Sequence, residues 1–297
     1  MAFEHPQHSV VTAEPTTHDK VQELEGYALE MRKSILKLCS KAGMLHLGGD
    51  LSVTDIMIGL WKYKLTYDPK RPKWEGRDRF ILSKGHAAGA LYVAQAMAGC
   101  YELQTVYDNY LQPGKDFGVH PGNYTPTIEI GTGSLGHGLS IAVGIAKALR
   151  LKNCTSRVFC VMGDGETQEG SVWEAAMAAS HLKLGNLVAI IDRNGFSLDG
   201  PTEEIMGLEP YADKWKAFGW NVIEIDGNDM SQIVGALDSV PETSTQQPTM
   251  IIAKTTKGFG ISFMENKPEW HAGSVNAEML PKCLAELEER FGKRGIR

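Results

Sequence analysis

Hydrophobic positions along the chain follow two alternating patterns, and the alternation is clearest from residue 79 onwards. Short apolar runs are typical of buried strands, whereas apolar positions three and four residues apart are typical of amphipathic helices. The runs predict strands at 79–83, 157–162, 186–191, 220–225 and 249–254. The helical spacing predicts helices at 20–41, 52–65, 87–99, 138–149, 170–184, 211–218, 230–237 and 277–291.

This order of elements predicts an α/β fold, a parallel sheet with helices on both faces. Ligands of such sheets bind at the carboxyl ends of the strands. A binding site is therefore expected in the loops that follow five strand-end residues, which are Leu82, Met162, Ile191, Ile225 and Ala253.

Two regions are predicted along the 297 residues. Residues 1–19 are rich in Glu, Pro, Thr and His, which is typical of a mobile tail. Residues 20–297 are long enough for one α/β domain. Within it, the glycine-rich stretch 43–50 is expected to be a loop, and Ser52 or Thr54 is expected to cap the next helix.

Composition restricts the functions to be considered. The net charge of -6 disfavours a protein that grips nucleic acid or an anionic membrane surface. The five cysteines form no CxxC pair, which indicates reduced thiols rather than disulfides or a zinc site. No secretion signal or membrane-length apolar stretch occurs, so a cytoplasmic location is expected.

Oxygen-bearing side chains follow two consecutive predicted strands. Asp164 lies in a Gly-Asp-Gly sequence after one strand, and Asn194 follows the next strand, with 28 residues (166–193) between Gly165 and Asn194. A Gly-Asp-Gly sequence alone is usually a turn, but two oxygen ligands at one sheet edge suit Mg²⁺ shared with phosphate oxygens. Gly163 and Gly165 would let a diphosphate approach the backbone closely.

This arrangement is the thiamine diphosphate signature, and residues 20–297 resemble the amino-terminal, diphosphate-binding domain of transketolase. The resemblance implies thiamine diphosphate and Mg²⁺ as cofactors. It implies Asp164, Asn194 and the Phe196 carbonyl as metal ligands, with the neighbouring residues beside the cofactor. The implied cofactor contacts are His86, Gly133, Ser134, Leu135, Gly163, Asp164, Gly165, Glu166, Asn194 and His271.

Four histidine loops extend the resemblance, at His46, His86, His120 and His271. A single loop histidine beside glycine is usually a surface residue, but four in loops at one sheet edge suggest catalysis. By the resemblance, His46 and His271 would bind donor hydroxyls or move protons, and His86 and His120 would stabilise oxygens. The family's proline after the first histidine is Leu47 here, as in two-chain members.

The sequence carries only half of such a site, because the family's pyrimidine-activating glutamate lies in a second domain that follows this region. The chain is therefore expected to be one subunit of a split transketolase, or a fragment. Its partner would carry the pyrimidine-binding and C-terminal domains, in an α2β2 assembly acting on sugars or sugar phosphates. Glu169 would join a network across the subunit interface, although helix-dipole stabilisation explains its position equally well.

Other functions stay open at this point. The metal-binding half is shared with 1-deoxyxylulose-5-phosphate synthase-like and acyloin-forming enzymes. A non-catalytic homologue that only scaffolds a partner is also possible on these residues. A nicotinamide oxidoreductase is disfavoured, since no GxGxxG with a later acidic residue follows the first strand.

Overall fold

Five parallel strands form the central sheet of the structure, a computed structural model that describes residues 18–292. The sheet order is β1-β2-β3-β5-β4, and all neighbouring strands are parallel. The predicted strands agree with the observed ones to within two residues at either end. The observed strands are β1 (Arg79–Leu82), β2 (Val158–Gly163), β3 (Leu187–Arg193), β4 (Asn221–Asp226) and β5 (Thr249–Lys254).

Helices connect the strands and cover both faces of the sheet. A π-helical stretch, Gly59–Lys64, continues α3, and single 3-10 turns lie at Gly85–Ala87, Gly165–Gln168 and Pro268–Trp270. The α-helices are α1 (His18–Ala42), α2 (Leu47–Ser52), α3 (Thr54–Ile58), α4 (Ala88–Met97), α5 (Leu103–Asn109), α6 (Gly138–Leu151), α7 (Gly170–His181), α8 (Thr202–Ile205), α9 (Tyr211–Ala217), α10 (Met230–Asp238) and α11 (Met279–Gly292).

The two faces of the sheet bury separate hydrophobic clusters, because successive side chains of a strand point to opposite sides. On β1, Phe80 and Leu82 pack in a cluster with α1, α3, α4, α10 and α11. Ile81 points to the other face and packs with α6, α7 and α9. The predicted fold class, with helices on both faces, is confirmed. Burial on both faces also explains why the strands read as continuous apolar runs.

The expectation of a loop over residues 43–50 is wrong for its second half. Helix α2 begins at Leu47, so Gly48, Gly49 and Asp50 are helical and buried. Packing selects glycine here in spite of its poor helix propensity. A β-carbon at Gly48 would lie 2.8 Å from the Trp270 carbonyl oxygen, and one at Gly49 would lie 3.3 Å from the His86 ring.

The helix caps expected at Ser52 and Thr54 are also wrong. Val53 occupies the N-cap position of α3 and makes no side-chain cap. The Ser52 hydroxyl instead donates to the Asp192 carboxylate at 2.5 Å, and the Thr54 hydroxyl donates to the Asp50 carbonyl at 2.9 Å. The short helices α5 and α8 were not predicted, because one or two turns carry too little periodicity to detect.

Helix α1 begins at His18, inside the stretch predicted to be a tail. Residues 1–17 of that predicted tail lie outside the described residues. Within residues 18–292, no helix is long and apolar enough to cross a membrane. All five cysteines are free thiols, and Cys39, Cys160 and Cys283 are buried.

Candidate active site

A cavity of about 370 Å³ opens at the carboxyl edge of the sheet. The loops after β1, β2, β3 and β5 contribute to its walls, as the sequence predicted. The loop after β4 does not, because β5 separates β4 from β3, whereas β1 lies directly beside β2. The predicted site residues that line the cavity are His46, His86, His120, Gly133, Leu135, Gly163, Asp164, Gly165, Glu166, Asn194, Phe196 and His271.

The four predicted histidines meet in this cavity. The His46 ring lies 5.6 Å from His86, 6.0 Å from His120 and 5.6 Å from His271, measured between ring centroids. The rings of His86 and His271 stack at 5.3 Å. A β-carbon at Gly133 would lie 3.0 Å from the His120 ring, so glycine leaves room for this imidazole. The cluster offers several proton donors and acceptors to one small ligand.

Burial favours the neutral form of three of these imidazoles. It lowers the pKa of His86 well below its ordinary value, and the nearby Lys84 charge adds to this. Burial and Lys257 lower the pKa of His271 to about 4, and burial also lowers the pKa of His46. Neutral imidazoles both donate and accept hydrogen bonds, which suits them to bind hydroxyl groups.

Asp164 presents a buried carboxylate to the cavity. It is 1% exposed, and its Oδ1 accepts a hydrogen bond from the Gly165 amide at 2.8 Å. Its Oδ2 accepts from the Gly195 amide at 2.6 Å and from Arg193 at 3.3 Å. Burial and the neighbouring Asp192 raise the pKa of Asp164 to about 6. Such a carboxylate would be stabilised by a further cation at the site.

The other two predicted metal ligands lie on the adjacent loop. Asn194 is mostly buried, and its Oδ1 accepts a hydrogen bond from the Phe196 amide at 3.1 Å. A β-carbon at Gly165 would lie 3.8 Å from the Phe196 carbonyl oxygen, so that oxygen is beside the Asp164 loop.

This donor set suits Mg²⁺ coordinated partly by a ligand. Carboxylate, amide and carbonyl oxygens are the types that Mg²⁺ prefers. Within residues 18–292, no three His, Cys, Asp or Glu side chains cluster as a metal site. The remaining ligands would therefore be water or phosphate oxygens, and the residues present fit Mg²⁺ shared with a diphosphate.

Glu166 lines the cavity and connects three loops by hydrogen bonds. Its buried carboxylate accepts hydrogen bonds from the amides of Gly136 at 3.0 Å and Gly163 at 3.1 Å, and from the Ser83 hydroxyl. Ser83 in turn accepts from the Gly138 amide at 3.1 Å. These bonds fix the loops after β1 and β2 to the start of α6.

Replacing Gly138 by alanine should disrupt this network. The added methyl group would overlap the Ser83 side chain and lie 2.8 Å from its Cα, so the chain should lose about 1–3 kcal/mol of stability. At Gly144, on the same helix, an added methyl group would have nothing within 4 Å, so Gly144→Ala should gain about 0.5–1 kcal/mol. Urea unfolding of both variants measures the difference; equal stabilities would contradict the packing argument.

The structure adds charged residues that sequence reasoning did not select. Lys84 lines the cavity and forms a buried ion pair with Asp192, and it also donates to the Gly49 carbonyl at 3.2 Å. Lys257 lines the cavity, where its Nζ lies 3.2 Å from His271 Nδ1 and 3.1 Å from the Ser197 carbonyl oxygen. Burial and Lys84 lower the pKa of Lys257 to about 8. Both lysines place positive charge in the cavity wall.

A sequence signal existed for some of these residues. Lys257 lies in the loop after Ala253, which was among the loops expected to hold a site, and Lys84 lies beside His86 in the Ser-Lys-Gly-His sequence. Asp192 is two residues before Asn194 at the end of its strand. Their partners, however, lie far away in the chain.

Two predicted residues lie outside the cavity wall. Ser134 is exposed, between Gly133 and Leu135, and it does not line the cavity. Glu169 is exposed at the N-terminus of α7, with its side chain against Gly136. Their roles in cofactor contact and in a subunit interface stay predictions.

Comparisons with known proteins point to one family. The model of the transketolase thiamine diphosphate binding domain matches residues 27–292. The chain is 41% identical to one of the subunits of the apulose-4-phosphate transketolase of Phocaeicola vulgatus, over 92% of this chain and 97% of that protein. It is 40% identical to a 6-deoxy-6-sulfo-D-fructose transketolase subunit of Clostridium sp. (strain MSTE9), over 90% and 97%.

Comparison with solved structures indicates the same family. The transketolase of Campylobacter jejuni superposes with a TM-score of 0.82 at 31% identity, covering 93% of this chain and 43% of that one. This chain thus spans about two fifths of the solved transketolases that it matches. Because the family model covers residues 27–292 and two subunit relatives match along nearly their whole length, the chain belongs to the transketolase family, as a thiamine diphosphate binding domain.

Proposed function

We propose that this chain is one subunit of a transketolase-type transferase, which moves a two-carbon ketol unit from a ketose or ketose phosphate to an aldose. The single observation that carries this proposal is the cavity that joins an oxygen ligand set at Asp164 to four clustered histidines. Such a cavity can anchor a diphosphate at one end and bind a polyhydroxylated substrate at the other.

In this proposal, Asp164, Asn194 and the Phe196 carbonyl hold Mg²⁺, and the lysines compensate diphosphate charge. Lys257 and Lys84 both line the cavity, and Lys84 is also the ion-pair partner of Asp192. Bound thiamine diphosphate supplies an electron sink for cleavage of the carbon–carbon bond. The burial of Asp164 strengthens its attraction for the metal, because buried charges are screened less than exposed ones.

The histidines bind and orient the sugar. His46 and His271 hydrogen-bond donor hydroxyls and move protons, and His86 and His120 donate to oxygens on which charge develops. The Lys257 ammonium donates to His271 Nδ1, so Nε2 of that ring carries the proton when the ring is neutral. This bond orients His271 with its N–H directed away from Lys257.

The neutral state of His271 can be measured directly. Since its pKa is lowered to about 4, its ring resonances should show no titration step between pH 7 and pH 5, a range that lies below the pKa of about 8 of its partner Lys257. NMR spectra of the ring carbons, with His271→Asn for assignment, report this. A midpoint near the ordinary histidine value of about 6.5 would contradict the proposed environment.

The rest of the active site would come from a partner subunit with the pyrimidine-binding and C-terminal domains, in an α2β2 assembly. The names of both subunit relatives support a partner, as does the share of whole transketolases that this chain spans. Exposed apolar side chains at the mouth of the cavity also support a partner subunit. Leu198 and Ile205 line the cavity and are 62% and 48% exposed, and the adjacent Met206 is 63% exposed. Free thiols support a cytoplasmic location.

The test compares ketose-donor turnover by the chain alone and with the protein encoded beside its gene, with Mg²⁺ and thiamine diphosphate present. Activity only in the mixture supports a split transketolase. Full activity of the isolated chain would overturn the partner proposal. Cofactor binding without any ketol transfer would favour a different thiamine diphosphate reaction, and no cofactor binding in either sample would favour a scaffold.

A further inference from the structure

Lys257 is held in the cavity by a loop rather than by a strand or helix. Strand β5 ends three residues earlier, at Lys254, and the chain then runs through turns to residue 266. The Lys257 side chain is nonetheless almost fully buried, and it crosses Gly48 before reaching His271. A flexible side chain on a loop needs its backbone fixed if its ammonium group is to have one position.

The backbone next to Lys257 is fixed by a residue from a different loop. The Thr256 amide donates to Asn228 Oδ1 at 2.8 Å, and Asn228 Nδ2 donates to the Asp55 carboxylate at 3.1 Å. Asn228 lies in the turn between β4 and α10, outside the cavity wall. It therefore links the Lys257 loop to α3.

The Asp55 carboxylate is in turn fixed by a buried guanidinium group, that of Arg32. Arg32 of α1 is 0% exposed and makes two hydrogen bonds to Asp55, one of them at 3.1 Å from Nη1 to Oδ1. Two parallel N–H···O bonds between a guanidinium and a carboxylate fix the orientation of both groups. The Asp55 oxygen that Asn228 contacts is consequently fixed as well.

Arg32 also contacts the Lys257 loop on the C-terminal side of the lysine. Its guanidinium packs against the rings of Phe259 and Phe291, at 4.9 Å and 5.1 Å from their centroids. Phe259 is two residues after Lys257, and Thr256 is one residue before it. Arg32 thus secures the loop on both sides of the lysine, once by hydrogen bonds and once by cation–π contact.

We propose that the buried Arg32–Asp55 pair, acting through Asn228, is a positioning device that sets the location of the Lys257 ammonium group in the cavity. Arg32, Asp55 and Asn228 do not line the cavity, so they act on the ligand only through Lys257. The inference rests on the proposed function in one respect, that the diphosphate of the cofactor is the group that Lys257 meets.

Asn228→Ala tests the device without removing the buried charges. Hydrogen exchange of the Thr256 amide in the full chain should quicken by at least about fivefold, because its acceptor is lost. Asp229→Ala is the matched control. It removes the N-cap of α10 in the same turn but no contact to Thr256, so exchange at Thr256 should not change. Equal exchange in both variants would overturn the inference.

Kinetics of the assembled enzyme give the second readout. Asn228→Ala should raise the KM for thiamine diphosphate about tenfold with little change in kcat, and Asp229→Ala should leave both unchanged. In a Lys257→Ala background, Asn228→Ala should add less than about twofold, because the two residues act in series. Independent, multiplicative effects would show that Asn228 does not act through Lys257.

The exchange and kinetic measurements distinguish a failure of the positioning inference from a failure of the proposed function. If Lys257→Ala leaves the KM for thiamine diphosphate unchanged, the proposed diphosphate contact fails. The exchange measurement needs no cofactor and still decides whether Asn228 fixes the loop. If Lys257→Ala raises that KM and Asn228→Ala does not, the positioning inference fails while the proposed function stands.

Discussion

Replacing Asp164 by asparagine is expected to weaken Mg²⁺-dependent binding of thiamine diphosphate by about thirtyfold or more. The carboxylate is 1% exposed, and it supplies the negative charge among the three proposed metal ligands. Losing one partner of a buried charge pair costs about 2–5 kcal/mol, which corresponds to this factor or more. Isothermal titration of the assembled protein measures the loss.

The asparagine variant should still fold. Its side chain has the same shape, and its single oxygen, placed where Asp164 has Oδ2, can still accept from the Gly195 amide, while the bond from the Gly165 amide to Oδ1 is lost. Asp199→Asn is the matched control, because Asp199 also lines the cavity but is exposed in the loop after β3. Undiminished binding by Asp164→Asn, or an equal loss in Asp199→Asn, would contradict the proposed metal site.

The second large effect is expected at Lys84. Replacing it with methionine leaves the Asp192 carboxylate buried without a cation, although Ser52 and Thr255 still donate to it. Removing one partner of a buried ion pair costs about 3–5 kcal/mol. For a domain of this size, that is a fall in Tm of roughly 6–20 °C. Thermal unfolding of the chain without cofactor measures it.

Two comparisons isolate the charge effect from the loss of lysine packing. Adding Asp192→Asn to the Lys84→Met variant should restore part of the lost stability, because no uncompensated charge remains. Lys64→Met breaks a pair with Asp238 whose side chains are 24% and 32% exposed, so its cost should stay below about 1 kcal/mol. Similar losses from Lys64→Met and Lys84→Met would show that burial does not govern the effect.

Local patterns in the sequence were enough to predict the sheet and to select Asp164 and Asn194 at one edge of it. Strand positions follow from runs of apolar residues, which are recognisable because both faces of this sheet are buried. Asp164 and Asn194 stand directly after consecutive strands, and the carboxyl ends of adjacent parallel strands share one edge. The four histidines could be grouped by the same rule, together with the family resemblance.

The predictions that failed have a common physical cause, which is contact between residues that are distant in the sequence. The stretch from Leu47 to Ser52 has the composition of a loop but is helical. Its glycines are needed because the His86 ring and the Trp270 carbonyl approach the helix closely. Asn228 was not selected at all, since a turn asparagine is ordinary in the sequence. Only its contacts with Asp55 and the Thr256 amide connect it to the cavity.

The sequence by itself determined the parallel sheet, its strand positions and the set of groups at the carboxyl edge, because these depend on residue type and short-range spacing. Only the tertiary structure decided which charges are paired and which face the cavity. Lys84 and Asp192 are 108 residues apart, and Arg32 and Asp55 are 23 apart. The strength of such a pair depends on burial and on geometry within a few ångströms, which folding creates and no local pattern records.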